Sequence, residues 1–235
     1  MLKTIVNHVK YKQRLVNTTI KTVMKSSMYA VVKPHTMFSR NMFINVETTP
    51  NPASLKFKPE DREVLPESYG SGFHFPSAMS AHASPLAKKL FRIEGVTTIM
   101  FGRDFISVNI DEESISWPIV KPQVFAEIMD FFSQDGVEVM SDEPAPSDTQ
   151  ITDDDDEIVA MIKELLETRI RPSVQEDGGD ILFIGFDEQS GIVDLQLAGS
   201  CTGCPSSSVT LKSGVEKMLM YYIPEVAGVN QIIGD

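Results

Sequence analysis

The stretch that decides the character of the second half of the chain is residues 199–208, GSCTGCPSSS. It holds Cys201 and Cys204, three positions apart, and the 235-residue sequence has no other cysteine. A segment of alternating apolar and polar residues precedes it and an apolar pattern with helical spacing follows it, so a strand gives way to a helix here. Such a loop offers unpaired N–H groups and the positive end of a helix dipole, which favour thiolate over thiol. Cys201 and Cys204 are therefore predicted to bind a soft metal.

Three chemistries compete for this C-x-x-C motif: a thioredoxin-like redox pair, half of a zinc site and half of an iron–sulfur site. Zinc is disfavoured, because a structural site takes four Cys or His ligands and all four histidines lie at or before His82. A thiol–disulfide oxidoreductase stays open as the alternative, although the second domain has few predicted strands for a thioredoxin fold. Two merely buried thiols are a weaker interpretation.

The number of sulfur donors favours an iron–sulfur cluster shared by two copies of the chain. A [4Fe–4S] cluster held by protein alone takes four thiolates, and each chain offers two. A two-fold interface brings the same loop from both copies. We therefore expect a homodimer with the cluster at its boundary, bound by Cys201 and Cys204 of each copy, with Gly199 and Gly203 allowing close backbone approach. That position suits a non-enzymatic carrier better than permanent storage.

The second domain, residues 157–235, is predicted to run helix, strand, strand, helix and a closing strand. The first helix has an apolar face that includes Ile162 and Leu165, and we expect Pro172 to stop it. The sequence DGGD at residues 177–180 predicts a turn with hydrogen-bonding aspartates rather than a metal or catalytic acid pair. The later elements are predicted at residues 181–186, 192–197, 211–222 and 226–233.

Residues 42–140 are predicted to form an α+β domain with its own core. Strands are expected at residues 43–47, 54–57, 96–101 and 105–110, the last two joined by a hairpin turn. Helices are expected from Ser84-Pro85 and after Pro122. Because this domain has no cysteine and no convincing catalytic cluster, we expect an interaction module. Its histidines, His74 and His82, are assigned no role.

Residues 141–156 are predicted to be an acidic linker. From Ser141 to Glu157 eight of seventeen residues are acidic, and Pro144 and Pro146 lie among them. Such a segment buries little apolar surface and repels itself, so a solvated spacer is expected. Its last four residues, 153–156, are also suited to the N-terminal turn of the next helix, where negative charge meets exposed N–H groups.

Residues 1–41 are predicted to be a mitochondrial transit peptide, which places the mature protein in the mitochondrial matrix. Up to Arg40 there are eight basic residues and no acidic one, and the first acid is Glu47. A disordered basic arm is the alternative. The whole chain has a net charge of −12, which disfavours a nucleic-acid partner. No apolar run approaches the roughly 18 residues that a membrane helix requires, so no membrane span is predicted.

Residues 157–233 closely resemble the C-terminal domain of NifU, the Nfu domain, through RPSVQEDGGD at 171–180 and GSCTGCPSS at 199–207. Residues 43–133 resemble the N-terminal domain of mitochondrial Nfu proteins. There the resemblance is carried by TPNPASLKF at 49–57, SPLAKKLF at 84–91 and FGRDF at 101–105. Together the two similarities cover nearly everything beyond the leader.

The resemblance implies a late-acting mitochondrial carrier of [4Fe–4S] clusters. It implies clients such as lipoyl synthase, aconitase-like enzymes and respiratory enzymes, with upstream assembly factors as donors. The family's cluster ligands correspond to Cys201 and Cys204; Ser173 and Ala53 depart from frequent family residues, but neither is a ligand position. The fold class is predicted to be α+β, with two small α/β-sandwich-like domains joined by the acidic linker. The C-terminal domain is predicted as α-β-β-α(-β) with a CxxC loop.

Overall fold

A computed structural model describes residues 42–134, 136–141, 147–203 and 205–232, with the backbone alone for residues 205–210. The predicted transit peptide, residues 142–146 of the predicted linker and Cys204 lie outside the described residues. The fold is mixed α+β, as the sequence predicts. In the described ranges no helix is long and apolar enough to cross a membrane.

The described part of the first half forms a five-stranded antiparallel sheet in the order β1-β2-β5-β4-β3. Its strands are β1 (Ile44–Thr48), β2 (Ser54–Pro59), β3 (Gly72–Phe75), β4 (Val96–Gly102) and β5 (Ile106–Ile110). Its helices are α1 (Pro85–Leu90) and α2 (Trp117–Ser133), and 3-10 turns occur at Glu67–Tyr69 and Ser80–Ala83.

One face of this sheet packs against the helices because apolar residues alternate along the strands. Leu55 and Phe57 of β2 share the core with Ile106 and Val108 of β5. The opposite face carries the intervening side chains, which are mostly polar.

Most predicted elements of the first half are confirmed, and two differ. The Ser84 hydroxyl accepts a hydrogen bond from the Ala87 N–H and caps α1, as the Ser84-Pro85 pair predicts. Strand β3 was not predicted, because four residues are too few to show a period-two pattern. Helix α2 begins at Trp117 and not after Pro122; the proline lies inside the helix.

The described part of the second half has a three-stranded sheet in the order β6-β7-β8. Its strands are β6 (Gly179–Asp187), β7 (Ile192–Gly199) and β8 (Gly228–Ile232), with β6 antiparallel and β8 parallel to β7. Its helices are α3 (Glu157–Leu165), α4 (Arg171–Glu176) and α5 (Pro205–Tyr222). The predicted closing strand is thus confirmed. Both sheets belong to one compact unit, Arg40–Asp235.

The helical run of the second half does not stop at Pro172, so that prediction is wrong. A π-helical turn, Leu166–Ile170, follows α3, and α4 carries the run on to Glu176. Proline breaks a helix where its missing N–H is needed and is tolerated in a first turn. Pro172 lies in the first turn of α4, directly after the change of hydrogen-bond pattern. At the other end of α3, Asp156 accepts from the Val159 N–H, which confirms the expected N-terminal role of the acidic run.

Arg171 is the largest buried polar side chain of the second half, with 2% of its surface exposed. Its guanidinium contacts oxygen atoms of residues from three segments: Asp148, Thr149, Glu167, Asp180 and Ile181. Burial raises the pKa of Asp180 to about 6, while the Arg171 guanidinium acts in the opposite direction. The surrounding carboxylates raise the pKa of Arg171 against the effect of burial, so the guanidinium stays charged.

This network reaches into the segment predicted to be a linker. The Asp148 carboxylate pairs with Arg171 at 2.7 Å and accepts from the Phe183 N–H of β6 at 2.7 Å. Thr149 is buried and donates to Glu167. The expectation of a solvated spacer therefore does not hold for Asp148 and Thr149, because their oxygens complete a buried ion cluster.

Replacing Arg171 by Met should lower the free energy of unfolding by about 3 kcal/mol or more, since the carboxylates of Asp148 and Asp180 lose their cation. Arg169→Met is the matched control, because Arg169 is an exposed arginine two positions earlier. Urea unfolding curves of both variants and the wild type test this. Equal losses in the two variants would contradict the assigned role of the network.

His74 of β3 lies mostly buried, and its Nε2 has no hydrogen-bond partner among the residues that the structure describes. Burial lowers the pKa of His74 to about 4. The folded state therefore resists protonation, whereas the unfolded chain takes up the proton near pH 6.5. The stability tied to this neutral ring is present above pH 6.5 and is lost as the pH falls towards 4.

His74→Leu should remove this pH dependence. At pH 7.5 the variant and the wild type should unfold at similar urea concentrations, and at pH 5 the variant should be the more stable by about 2 kcal/mol. His82→Leu replaces an exposed histidine and should keep the wild-type pH profile. If His74→Leu and the wild type lose stability in parallel between pH 7.5 and pH 5, His74 is not the group responsible.

Candidate iron–sulfur site

The CxxC loop, residues 200–204, connects the end of β7 to the start of α5. This is the strand-to-helix junction that the sequence predicts. Cys201 is two residues beyond β7 and only 6% exposed, as part of the core of the second half. Cys204, the second predicted ligand, lies outside the described residues.

Backbone hydrogen bonds hold the loop in tight turns. The Cys201 N–H donates to the Ala198 carbonyl at 3.3 Å, and the Thr202 N–H donates to the Gly199 carbonyl at 3.1 Å. Gly199 and Gly203 have φ angles of +60° and +73°, a region that L-residues rarely occupy. The glycines are thus required by the conformation of the turn; their predicted role in the approach of a cluster stays a prediction.

The Cys201 thiol packs against the backbone of Gly179, the first residue of β6. A β-carbon placed on Gly179 would lie 2.2 Å from Cys201 Sγ and 3.2 Å from Cys201 Cβ. Only glycine leaves room for the sulfur in this position. Cys201 also lines a cavity of about 40 Å³, together with Val174, Asp177 and Leu211.

The turn at residues 177–180 is hydrogen-bonded to the CxxC loop. Gly178 has a φ of +78°, its carbonyl accepts from the Ser200 N–H, and the Ser200 hydroxyl donates to the Asp177 carbonyl at 2.7 Å. The predicted turn is confirmed. Asp180 belongs to β6 and pairs with Arg171, so the two aspartates do not form an acid pair.

Side chains of the first half also contact the CxxC loop. The Asn51 amide donates to the carbonyls of Ser200 at 2.8 Å and Thr202 at 3.1 Å. The Asn109 amide of β5 donates to the Gly199 carbonyl at 2.8 Å. Pro50 and Asn51 line the cavity next to Cys201.

A second contact lies at the end of α4. The Lys56 ammonium group donates to the carbonyls of Gln175 and Glu176, each at 2.9 Å, where the negative end of the helix dipole attracts a cation. Lys56 is 5% exposed, and burial lowers its pKa. The Gln175 amide returns a hydrogen bond to the Ser71 carbonyl at 3.1 Å.

Lys56 and Asn109 lie on the face of the first sheet that points away from its helices, and Asn51 lies in the loop between β1 and β2. The pairing register places one row of side chains straight across the five strands: Glu47, Lys56, Ser107, Met100 and His74. Met100 contacts the loop, because its sulfur would be 2.6 Å from a β-carbon on Gly199. The alternation along the strands indicates a polar face, but a polar face is normally solvated. Sequence reasoning therefore missed Asn51, Lys56 and Asn109.

Among the residues that the structure describes, no group of three or more His, Cys, Asp or Glu side chains is placed to hold a metal ion. The soft donor set of this loop consists of Cys201 with Cys204 two residues beyond Thr202. Two thiols in one loop fit half of a thiolate-ligated cluster by donor chemistry.

The fold and this loop together define a class: a two-part α+β protein whose second part presents paired thiols between a strand and a helix. Family models match both parts: residues 44–135 match the N-terminal domain of the scaffold protein Nfu/NifU, and residues 162–230 match the NifU-like domain.

Two curated relatives are mitochondrial NFU1 iron–sulfur cluster scaffold homologues. The one from Drosophila persimilis is 56% identical over 83% of this chain and 67% of its own length, and the one from Drosophila willistoni is 51% identical over 91% and 74%. A solved NifU-like protein from Saccharomyces cerevisiae is 28% identical over 46% of this chain and 92% of that one, with a TM-score of 0.40. The chain belongs to the mitochondrial NFU1 family of iron–sulfur cluster scaffold homologues. Mitochondrial localisation is thereby confirmed, and the matrix stays a prediction.

Gly179→Ala should displace the Cys201 thiol, because the new methyl group and Sγ cannot occupy the same space. We expect a loss of about 1–3 kcal/mol in the free energy of unfolding, measured with urea. Gly185→Ala is the matched control: it changes a glycine of the same strand, where a β-carbon meets nothing within 4 Å. Equal stability of the two variants would show that the thiol does not pack against Gly179.

Proposed function

We propose that this protein is a scaffold and carrier of iron–sulfur clusters, which holds a [4Fe–4S] cluster between two copies of the chain and passes it to other proteins. The observation that carries the proposal is Cys201, positioned by β7 and the glycine turns at the entry to α5, with Cys204 as the second thiol of the same loop. The names of the relatives, which are iron–sulfur cluster scaffold homologues, support the same role.

The stoichiometry follows from the donors. A cluster with four irons takes one thiolate at each iron, and a single chain has two cysteines. Two copies related by a two-fold axis bring Cys201 and Cys204 twice, in equivalent geometry. The cluster then lies at a subunit boundary and is released when the two copies separate.

In this proposal the cluster is cargo, and the protein does no catalysis on it. The chain's own part is to present two thiolates, to orient them by the turn at residues 199–203 and to form the dimer. The recipients are mitochondrial apo-proteins, for which lipoyl synthase, aconitase-like enzymes and respiratory enzymes are candidates. Upstream assembly factors supply the cluster.

The proposed division of the chain follows the same logic. Residues 1–41 direct import, 42–140 form an interaction module, 141–156 connect it to the rest, and 157–235 bind the cluster. Arg171 ties part of the connecting segment to the cluster-binding part through Asp148.

The alternative function is thiol–disulfide exchange. An attacking thiolate in such an enzyme must be accessible to its substrate, and low exposure of Cys201 argues against that role for this cysteine. The discriminating measurement is catalytic reduction of a disulfide substrate by the metal-free protein.

Anaerobic reconstitution with iron and sulfide should yield about four irons and four sulfides per dimer, with the mass of two chains. Cys201→Ser and Cys204→Ser should each abolish stable loading, because each removes two of the four thiolates from the dimer. Iron and sulfide analysis together with native mass spectrometry measures both quantities.

Thr202→Ser is the matched control for these variants. It changes the residue between the cysteines but keeps the hydroxyl that donates to the Leu197 carbonyl, so loading should equal that of the wild type. A colourless monomer after reconstitution, or a full cluster on one isolated chain, would refute the proposal.

A further inference from the structure

The backbone carbonyls of the CxxC loop are occupied by the first half of the chain. Gly199, Ser200 and Thr202 each accept a hydrogen bond from an asparagine amide of the first half, either Asn51 or Asn109. These are the residues on both sides of Cys201. A second copy of the chain that approached Cys201 from this side would meet the first half instead of the loop.

The geometry points to the polar face of the first sheet as a docking surface for the chain's own CxxC loop. This face covers the loop in the metal-free protein, and it must move away from the loop when two copies share a cluster. The requirement that the face move away from the loop rests on the proposed function. The partner that fits this surface is a tight turn with outward carbonyl groups, because the surface offers amide and ammonium donors at its centre.

The burial of these donors shows that the two halves pack closely together at this contact. Lys56, Ser107 and Asn109 are all nearly inaccessible to solvent, although they lie on the face of the sheet opposite to its core. Polar side chains are seldom buried unless they are hydrogen-bonded, and here Lys56 and Asn109 find their acceptors in the second half. On a sheet that stood alone, the same face would be solvated.

The contact can also open and close reversibly. It includes hydrogen bonds from side chains to backbone carbonyls, the packing of Met100 against Gly199, and the packing of Thr49 and Ser107 close to Gly178. Water can replace each of these donors and acceptors when the two halves separate. Interfaces of this polar kind between domains of one chain allow relative motion.

The room next to Cys201 shows why docking and cluster binding compete. The cavity between the thiol, Pro50 and Asn51 measures about 40 Å³, which is enough for a few water molecules and too small for a cluster of four irons and four sulfides. The thiol itself points at Gly179. A cluster shared with a second copy therefore requires the first half to move away from the loop.

Asn51→Asp tests the docking. The Asn51 side-chain oxygen accepts from the Ala53 N–H, and a carboxylate keeps that local hydrogen bond. The two donated hydrogen bonds are lost, and negative charge faces the carbonyls of Ser200 and Thr202. Asn45→Asp is the charge-matched control, since Asn45 is an exposed residue of β1 in the same half.

The measurement is the rate at which iodoacetamide alkylates Cys201 in metal-free full-length protein. Cys204→Ser is used as the background, so that Cys201 is the chain's single cysteine. Asn51→Asp should raise the rate about ten-fold or more, because the loop opens more often, and Asn45→Asp should leave it within about two-fold. Lys56→Met is a second variant, which should raise the rate by removing the contact to α4. Far-ultraviolet circular dichroism verifies that each variant is folded.

Equal alkylation rates in folded Asn51→Asp, Lys56→Met and Asn45→Asp would overturn the docking, whatever the protein binds. In the chain with both cysteines, Asn51→Asp should load a cluster faster than the wild type and to the same final content. Slower loading would overturn the competition between docking and cluster binding. Suppose that Asn51→Asp raises the alkylation rate, but neither the variant nor the wild type loads a cluster on reconstitution. That result would refute the proposed function and leave the docking in place.

Discussion

Hydrogen bonds from three side chains of the first half to backbone carbonyls of the second half are the interaction on which the arrangement of the site depends. Asn51 and Asn109 hold the CxxC loop, and Lys56 holds the end of α4. Carbonyls in such a turn have room for a further hydrogen bond, which a side chain or water can donate. The first sheet supplies those partners, and in doing so it covers the loop.

The residues around Cys201 fix the position of its thiol. Gly179 leaves room for the sulfur, and Gly199 adopts a backbone conformation that a side chain would strain. Below the loop, Asp180 and Arg171 form a buried ion pair that holds the start of β6. A thiol packed inward in this way is kept away from solvent.

Much of the fold could be predicted because its patterns are local. Alternation along β2 and β5, the capping Ser84 and the strand-to-helix position of the cysteines are all visible in short windows of sequence. The missed features depend on context. Pro172 was expected to end a helix, but a preceding π-helical turn lets it begin the next one. Strand β3 is too short to have a pattern of its own and exists because β4 offers it an edge to pair with.

The number and order of the thiols, the glycines that flank them and the alternation of apolar and polar residues in each strand can all be read from the sequence. Those properties belong to individual residues and their neighbours in the chain. The packing of the two halves buries the polar face and brings Asn51 and Asn109 to carbonyls of the CxxC loop and its approach, and Lys56 to the end of α4. Asn51 and Ser200 are 149 positions apart, and hydrogen bonds over such distances depend on how two sheets pack, which no local pattern specifies.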